Sequence, residues 1–434
     1  MRRKASLVTA SLDLPPRVDL PVGALGPATG LSCRECGQLY PLGARYVCEE
    51  CFGPLEVAYA IAPGSVTREG IEAGPPSIWR YQALLPVPAD VAEHPNLAPG
   101  RTQLVKADNL ARVLGMRSLW VKDDSGNPTH SFKDRVVAVA LAAARPLGIQ
   151  TIACASTGNL ANAVAAAAAR AGLRSVVVIP SDLEAGKILT TAVYGGTLIA
   201  VEGTYDDVNR LCSEVAGEPD KADWGFVNVN LRPYYAEGSK TVGYEIAEDL
   251  GWRLPAQVVC PVASGSLLTK VDKAFRELGK LGLVDETDYR IFGAQATGCS
   301  PVAQAWRAGQ DVVRPVRPDT IAKSLAIGNP ADGPYALDVA RRTGGAIEDV
   351  SDTEVVEGIR LLAETEGIFA ETAGGVTVAT LRKLLASGAL DPDAETVVLN
   401  TGDGLKTLDA IAPVVGPTAT IEPSLQAFRE AVSR

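Results

Sequence analysis

Lys133 stands in the run Asn127-Pro128-Thr129-His130-Ser131-Phe132-Lys133-Asp134-Arg135. Taken alone it means little, because most lysines are solvated surface charges. Two later segments change that. Ala155-Ser156-Thr157-Gly158-Asn159 follows the β-rich run Thr151 to Cys154 and opens an alanine-rich helical stretch. Ser264-Gly265-Ser266 follows the apolar run Val258 to Val262 and opens another helix. Strand, small-residue turn and helix is the geometry that aims backbone N–H groups at a phosphate or carboxylate. One lysine with two anion cradles suits a phosphorylated aldehyde held as a Schiff base.

A second constellation is Cys33-x-x-Cys36 with Cys48-x-x-Cys51, two knuckles separated by eleven residues. Each knuckle supplies two thiolates on one tight turn, and the pair makes a closed tetrahedral site for a structural Zn2+. A rubredoxin-like iron also fits four thiolates. A module of about 30 residues cannot hold together by its core alone, so metal binding supplies much of its folding energy. Basic residues are few there (Arg34, Arg45) and acids surround the second knuckle (Glu49, Glu50, Glu56). That balance favours a docking or assembly role over nucleic-acid binding. The other cysteines, Cys154, Cys212, Cys260 and Cys299, are scattered among apolar residues and read as free buried thiols of a reducing compartment.

The elements that must position these groups are alternating strands and helices. Strands are expected at Leu119–Lys122, Thr151–Cys154, Ser175–Ile179, Thr197–Val201, Val258–Pro261, Tyr289–Ala294 and Thr396–Leu399, with helices such as Leu160–Ala171 and Leu267–Leu278 between them. Most of the strands are continuous apolar runs, which predicts an α/β fold with parallel sheets covered by helices on both faces. The expected organisation is an arm over 1–27, the cysteine ribbon over 28–58, a proline- and glycine-rich packing segment over 59–100, a catalytic region over 101–412 and a tail over 413–434. The chain has 434 residues, 47% hydrophobic and 21% charged, with a net charge of −10. This is globular composition, and the negative charge argues against general affinity for nucleic acid or anionic membrane. No apolar run approaches the ~20 residues of a membrane span. Arg2, Arg3 and Lys4 are not followed by an apolar core, so no secretory signal is expected and the cytoplasm is the expected compartment.

The order of these pieces resembles the pyridoxal-phosphate enzymes of the tryptophan-synthase-β fold, and the threonine synthases most closely. Beyond the runs already quoted, the resemblance includes Val201-Glu202-Gly203-x-Tyr205-Asp206-Asp207, Glu237-Gly238-Ser239-Lys240-Thr241, Ile327-Gly328-Asn329-Pro330, Glu366-Gly367-Ile368-Phe369 and Thr401-Gly402-Asp403-Gly404-Leu405-Lys406. It implies a two-domain parallel-sheet fold, with a smaller mobile subdomain over about 150–240. It implies that Lys133 carries pyridoxal 5'-phosphate and moves the substrate's protons, and that Asn159 bonds the pyridine 3′-oxygen. Val262, Ala263, Ser264, Gly265 and Ser266 would hold the cofactor phosphate, with Ala263 and Ser266 where the family usually has glycine. Thr401 would face the pyridine nitrogen. Ser156 and Thr157 would receive the substrate's carboxylate or phosphate.

The activity implied is conversion of O-phosphohomoserine and water to threonine and phosphate, by a homodimer. Lys187, Arg232 and Lys240 are the available cations for the substrate phosphate. Here the chain departs from the family: Tyr235 stands where many threonine synthases have arginine, and Arg232 lies three residues earlier. His130 replaces a usual glycine; it could touch phosphate, shuttle a proton or merely pack. Two other readings stay open: β-replacement on O-phosphoserine, as in a cysteate-synthase-like enzyme, and a non-catalytic ligand sensor.

Overall fold

The computed structural model describes residues 18–156, 158–181, 185–203 and 205–432, without the side chains of 185–187, 206 and 219. Its strands are β1 (Ala28–Cys33), β2 (Leu39–Tyr40), β3 (Leu55–Tyr59), β4 (Gln103–Lys106), β5 (Leu119–Asp123), β6 (Thr151–Ala155), β7 (Arg174–Pro180), β8 (Thr197–Val201), β9 (Trp224–Phe226), β10 (Gln257–Pro261), β11 (Arg290–Ala296), β12 (Ile347–Val350) and β13 (Thr396–Asn400). They form three sheets, in the orders β2-β1-β3, β12-β11-β10-β13-β5-β4 and β8-β7-β6-β9.

The first sheet is antiparallel, with Cys33 at the end of β1 and Cys36, Cys48 and Cys51 in its loops. The other two are parallel except for β4, which runs antiparallel to β5 with Val105 opposite Val121. All seven expected strands are present within a residue or two. The antiparallel edge β4 was not expected, because a half-exposed four-residue strand carries little apolar signal. Every residue of β6, β10 and β13 is buried, which is why these strands read as apolar runs without alternation.

The helix that begins at the lysine, Lys133–Ala144, is nearly all buried. It is pinned by Arg135, which has no solvent exposure and donates to both oxygens of Asp124 at 2.8 Å and to Glu245 at 2.6 and 2.7 Å. A charge so deep is tolerated only when paired and hydrogen-bonded. Burial pushes the Glu245 carboxyl up, but Arg135 and Lys122 outweigh it and hold the group well below the usual carboxylate range. The helix Arg232–Gly238 crosses the lysine helix in backbone contact: a Cβ at Gly238 would meet the Arg135 carbonyl oxygen at 2.6 Å. Only glycine permits that approach.

The cysteine ribbon docks on this same region. The Tyr234 hydroxyl accepts from the Gly43 amide at 2.9 Å and donates to the Gly43 carbonyl at 3.0 Å. Tyr59 donates to Glu237 at 2.6 Å. Lys270 pairs with both Glu56 and Glu237, and Lys273 adds a 2.9 Å bond to Glu237. Among the described residues, no helix is long and apolar enough to cross a membrane.

Candidate active site

The turns that follow β6, β10 and β13 and the start of the lysine helix meet at the carboxyl ends of the strands, where open parallel sheets bind ligands. Their meeting point is a residue the sequence reading did not single out. Glu371, 2% exposed, accepts from Asn159 Nδ2 at 2.8 Å and from Thr401 Oγ1 at 3.0 Å. Burial raises its carboxyl pKa, while Asn159, Lys406, Thr401 and Lys133 pull it back without cancelling the rise. The backbone knits the same segments together. Phe132 N donates to Thr401 O at 3.0 Å, Asp403 N to His130 O at 3.1 Å and Glu371 N to Gly402 O at 3.0 Å. A Cβ on Gly402 would lie 2.6 Å from the Glu371 carboxyl carbon, so side chains are excluded there. An acid opening the small-residue run Thr372-Ala373-Gly374-Gly375 was the one sequence clue to Glu371.

Lys133 is half-buried beside this group. Its Nζ donates to the Tyr235 hydroxyl at 3.1 Å and lies 4.6 Å from the centroid of the Phe132 ring. Asp134, the next residue, accepts from the Thr129 amide and hydroxyl at 2.7 and 2.8 Å, which ties down the turn before the lysine.

The turn after β6 is organised by Ser156, whose Oγ accepts from Gly158 N at 3.3 Å and Ala161 N at 3.1 Å. Its hydroxyl therefore caps the start of the helix Asn159–Ala171, and Asn159 is left to face Glu371. Thr157 lies outside the described residues. At the end of β10, Val262, Ala263, Ser264 and Gly265 lead into the helix Ser266–Lys280. Gly265 has φ +96°, and a Cβ there would meet the Asp332 carbonyl at 2.7 Å. Ser264 O accepts from Asp332 N at 2.8 Å, and Ser266 N donates to Ser264 Oγ at 3.3 Å. A tight left-handed turn opening a 15-residue helix presents N–H donors and hydroxyls to an anion.

The cations named for a substrate phosphate are not brought together. Lys240 has no exposure; its ammonium pairs with Glu237 and Glu277, each at 2.9 Å, and donates to Leu84 O at 3.0 Å. It is buried and neutralises buried acids, which corrects the expectation for it. Arg232 is held by Asp332 at 2.7 Å, and Asp332 also takes Arg34 of the ribbon at 3.3 Å. Arg232 therefore backs the Ser264–Gly265 turn. The side chain of Lys187 lies outside the described residues. His130 is exposed at φ +62°, a left-handed conformation that favours the glycine it replaces, and its amide donates to Asn127 O at 2.8 Å.

The four ribbon sulfurs lie within 4.8 Å of one another. Sγ of Cys33 and Cys51 are 3.4 Å apart and those of Cys36 and Cys48 are 3.6 Å apart. A tetrahedron of Zn–S bonds of about 2.3 Å has edges of about 3.8 Å, so the cluster is close to the size zinc requires. Both knuckles close by the same turn, Gly37 N to Cys33 O and Phe52 N to Cys48 O, each at 3.1 Å.

Comparison with known proteins places this geometry. Residues 96–402 match the family described as "Pyridoxal-phosphate dependent enzyme". The chain is 37% identical to the threonine synthase of Methanocaldococcus jannaschii, over 87% of this chain and 93% of that one. It is 36% identical to the threonine synthase of Methanosarcina acetivorans, over 93% of this chain and 98% of that one. The fold matches an L-serine ammonia-lyase from Rhizomucor miehei with a TM-score of 0.62 at 22% identity, covering 73% of this chain and 98% of the other. The chain belongs to the pyridoxal-phosphate dependent enzymes, and within that family to the threonine synthases.

Proposed function

We propose that this protein converts O-phospho-L-homoserine and water into L-threonine and phosphate. One observation carries the reading: Lys133, Asn159 and Thr401, from three separate segments, converge around Glu371 in a chain that matches threonine synthases over most of its length. The site fits pyridoxal phosphate by its donor set, an amine, an amide and a hydroxyl on one side and a glycine turn at a helix N-terminus on the other. Bound there, the cofactor supplies the electron sink that makes the substrate's α- and β-protons removable.

The chain's own groups do the rest. Lys133 holds the cofactor through its amine, then serves as the base and acid that moves protons at the α- and β-carbons. One group placed above the reacting atoms can serve several such steps, since proximity replaces separate acids and bases. Asn159 would hold the ring through its oxygen and Thr401 would face its nitrogen. Glu371 fixes the rotamers of both. Ser264, Gly265 and Ser266 bind the cofactor phosphate. The turn after β6, which begins at Ser156, takes the substrate's anionic groups; Thr157 and the side chain of Lys187, the other groups expected there, lie outside the described residues.

We assign a structural Zn2+ to Cys33, Cys36, Cys48 and Cys51, because a closed four-thiolate site leaves no open position for a substrate. Cys154, Cys212, Cys260 and Cys299 are free and buried, which supports a cytoplasmic, reducing location. We take the working unit to be a homodimer.

The deciding experiment incubates the enzyme separately with O-phosphohomoserine and O-phosphoserine and follows phosphate release and amino-acid product together. Threonine from the first substrate supports the proposal. Turnover of O-phosphoserine alone replaces it with a β-replacement enzyme. Cofactor binding without turnover of either points to a ligand sensor.

A further inference from the structure

The hydroxyl of Tyr235 is the hydrogen-bond partner of the Lys133 ammonium, and its placement is built rather than incidental. Tyr235 lies on the helix Arg232–Gly238, one turn from each end contact that fixes that helix. At one end Arg232 is bound to Asp332 at 2.7 Å. At the other, Gly238 rests on the backbone of the lysine helix, and Glu237 sits in the buried ion cluster with Lys240 and Lys270. The preceding residue, Tyr234, is bolted to Gly43 by two hydrogen bonds. With the helix so held, the Tyr235 ring stands beside Lys133, Nζ lying 3.1 Å from its oxygen and 5.7 Å from the ring centroid.

We propose that Tyr235 is a positioning residue for Lys133, holding its side-chain nitrogen in register while that nitrogen is free of the cofactor. The inference rests on the function proposed above for Lys133. A free lysine amine on a four-carbon stem has many rotamers, and a base must sit within hydrogen-bond reach of the proton it takes. A phenol can hold it in both of its protonation states: the oxygen accepts from an ammonium, and the O–H donates to a neutral amine. The lysine therefore keeps one anchor as it gains and loses a proton, and the anchor adds no charge next to it. A guanidinium at this position has no acceptor and would repel the ammonium. The residue that departs from the familiar pattern is thus the one that touches the central lysine.

The test uses Tyr235→Phe, which removes the hydroxyl and keeps the ring. Two measurements are made. In the cofactor-free protein, the rate of Lys133 modification by an amine-selective acylating reagent is followed at a fixed pH by peptide mass spectrometry. The hydroxyl holds the Lys133 nitrogen and competes with the reagent for it, so without that bond Lys133 should label about 10-fold faster. In the holoenzyme, kcat for O-phosphohomoserine should fall about 10-fold with KM changed far less, because the loss is in base placement and not in substrate binding. Tyr289→Phe is the control, since it removes a phenol hydroxyl that bonds Asp272 at 2.9 Å and should move neither readout. If Tyr235→Phe fails to fold, Tyr235→Leu is read in the same way. Unchanged labelling and unchanged kcat in the Tyr235 variant overturn the proposal, as does an equal change in the Tyr289 variant. The labelling result does not depend on which phosphoester is the substrate, so failure of this inference is distinguishable from failure of the proposed activity.

Discussion

Asn159 and Glu371, 212 residues apart in the chain, meet at 2.8 Å through an amide-to-carboxyl hydrogen bond. Glu371 also receives the Thr401 hydroxyl at 3.0 Å, so one buried acid sets the two side chains that we assign to the cofactor ring. Burying this acid carries a cost. Burial raises the carboxyl pKa, so the folded protein holds this proton more tightly than the unfolded chain does. The folded state then loses stability as pH rises from the ordinary glutamate value near about 4.3 through the raised folded value. Glu371→Gln removes that dependence. In thermal unfolding of the cofactor-free protein, the variant should gain on the wild type as pH rises across this window, while kcat falls about 10-fold from lost orientation of Asn159 and Thr401. A constant Tm difference at all pH values would contradict the account.

Lys133 is expected to be the residue that bears the cofactor. Borohydride reduction of the holoenzyme followed by peptide mapping should place the pyridoxyl label on Lys133. Lys133→Ala should lower kcat by about 100-fold or more, the scale of a lost general base. A label on another lysine would remove the central assignment.

Arg232 tests which phosphate the neighbouring turn serves. Because it is paired with Asp332, which bonds Ser264 and abuts Gly265, Arg232→Ala should weaken retention of cofactor by about 10-fold. At saturating cofactor, KM for O-phosphohomoserine should change little. A large rise in KM with unaltered cofactor affinity would instead put the guanidinium on the substrate.

The ribbon should hold one zinc per chain. Cys33→Ser should lose the metal and expose the Glu56 and Tyr59 strand to hydrogen exchange, with the bound cofactor's absorbance largely kept. Full zinc content in that variant would show that the ligands lie elsewhere.

What the sequence reveals here is what is local. The two Cys-x-x-Cys turns and the strand–turn–helix runs at 154–159 and 260–266 each lie within a dozen residues or so, and the structure builds them as read. Glu371 could not be weighted in the same way, because its importance arises only when three distant segments close on it. Lys240 shows the opposite error. As a cation in a recognisable motif it looked available, yet Glu237 three residues before it and Glu277 on another helix consume its charge. The first partner is a helical i, i+3 neighbour and was legible; the second is tertiary and was not. Strand β4 escaped notice because an edge strand need not be apolar on both faces.

The contact of β3 with the helix Ser266–Lys280 has a consequence for anyone who would shorten this gene. Glu56 shares Lys270 and Lys273 with Glu237, and burial pushes its carboxyl up while the two lysines bring it down to about 2. A truncated product starting near Ala60 would keep both ammonium groups and lose one of the carboxylates that offset them, on the helix whose first turn we assign to the cofactor phosphate. Removing the module takes Glu56 away altogether, whereas loss of the metal leaves it in the chain, so trimming should produce an insoluble or cofactor-poor enzyme, and a viable short version would need compensating charge changes at positions 270 or 273.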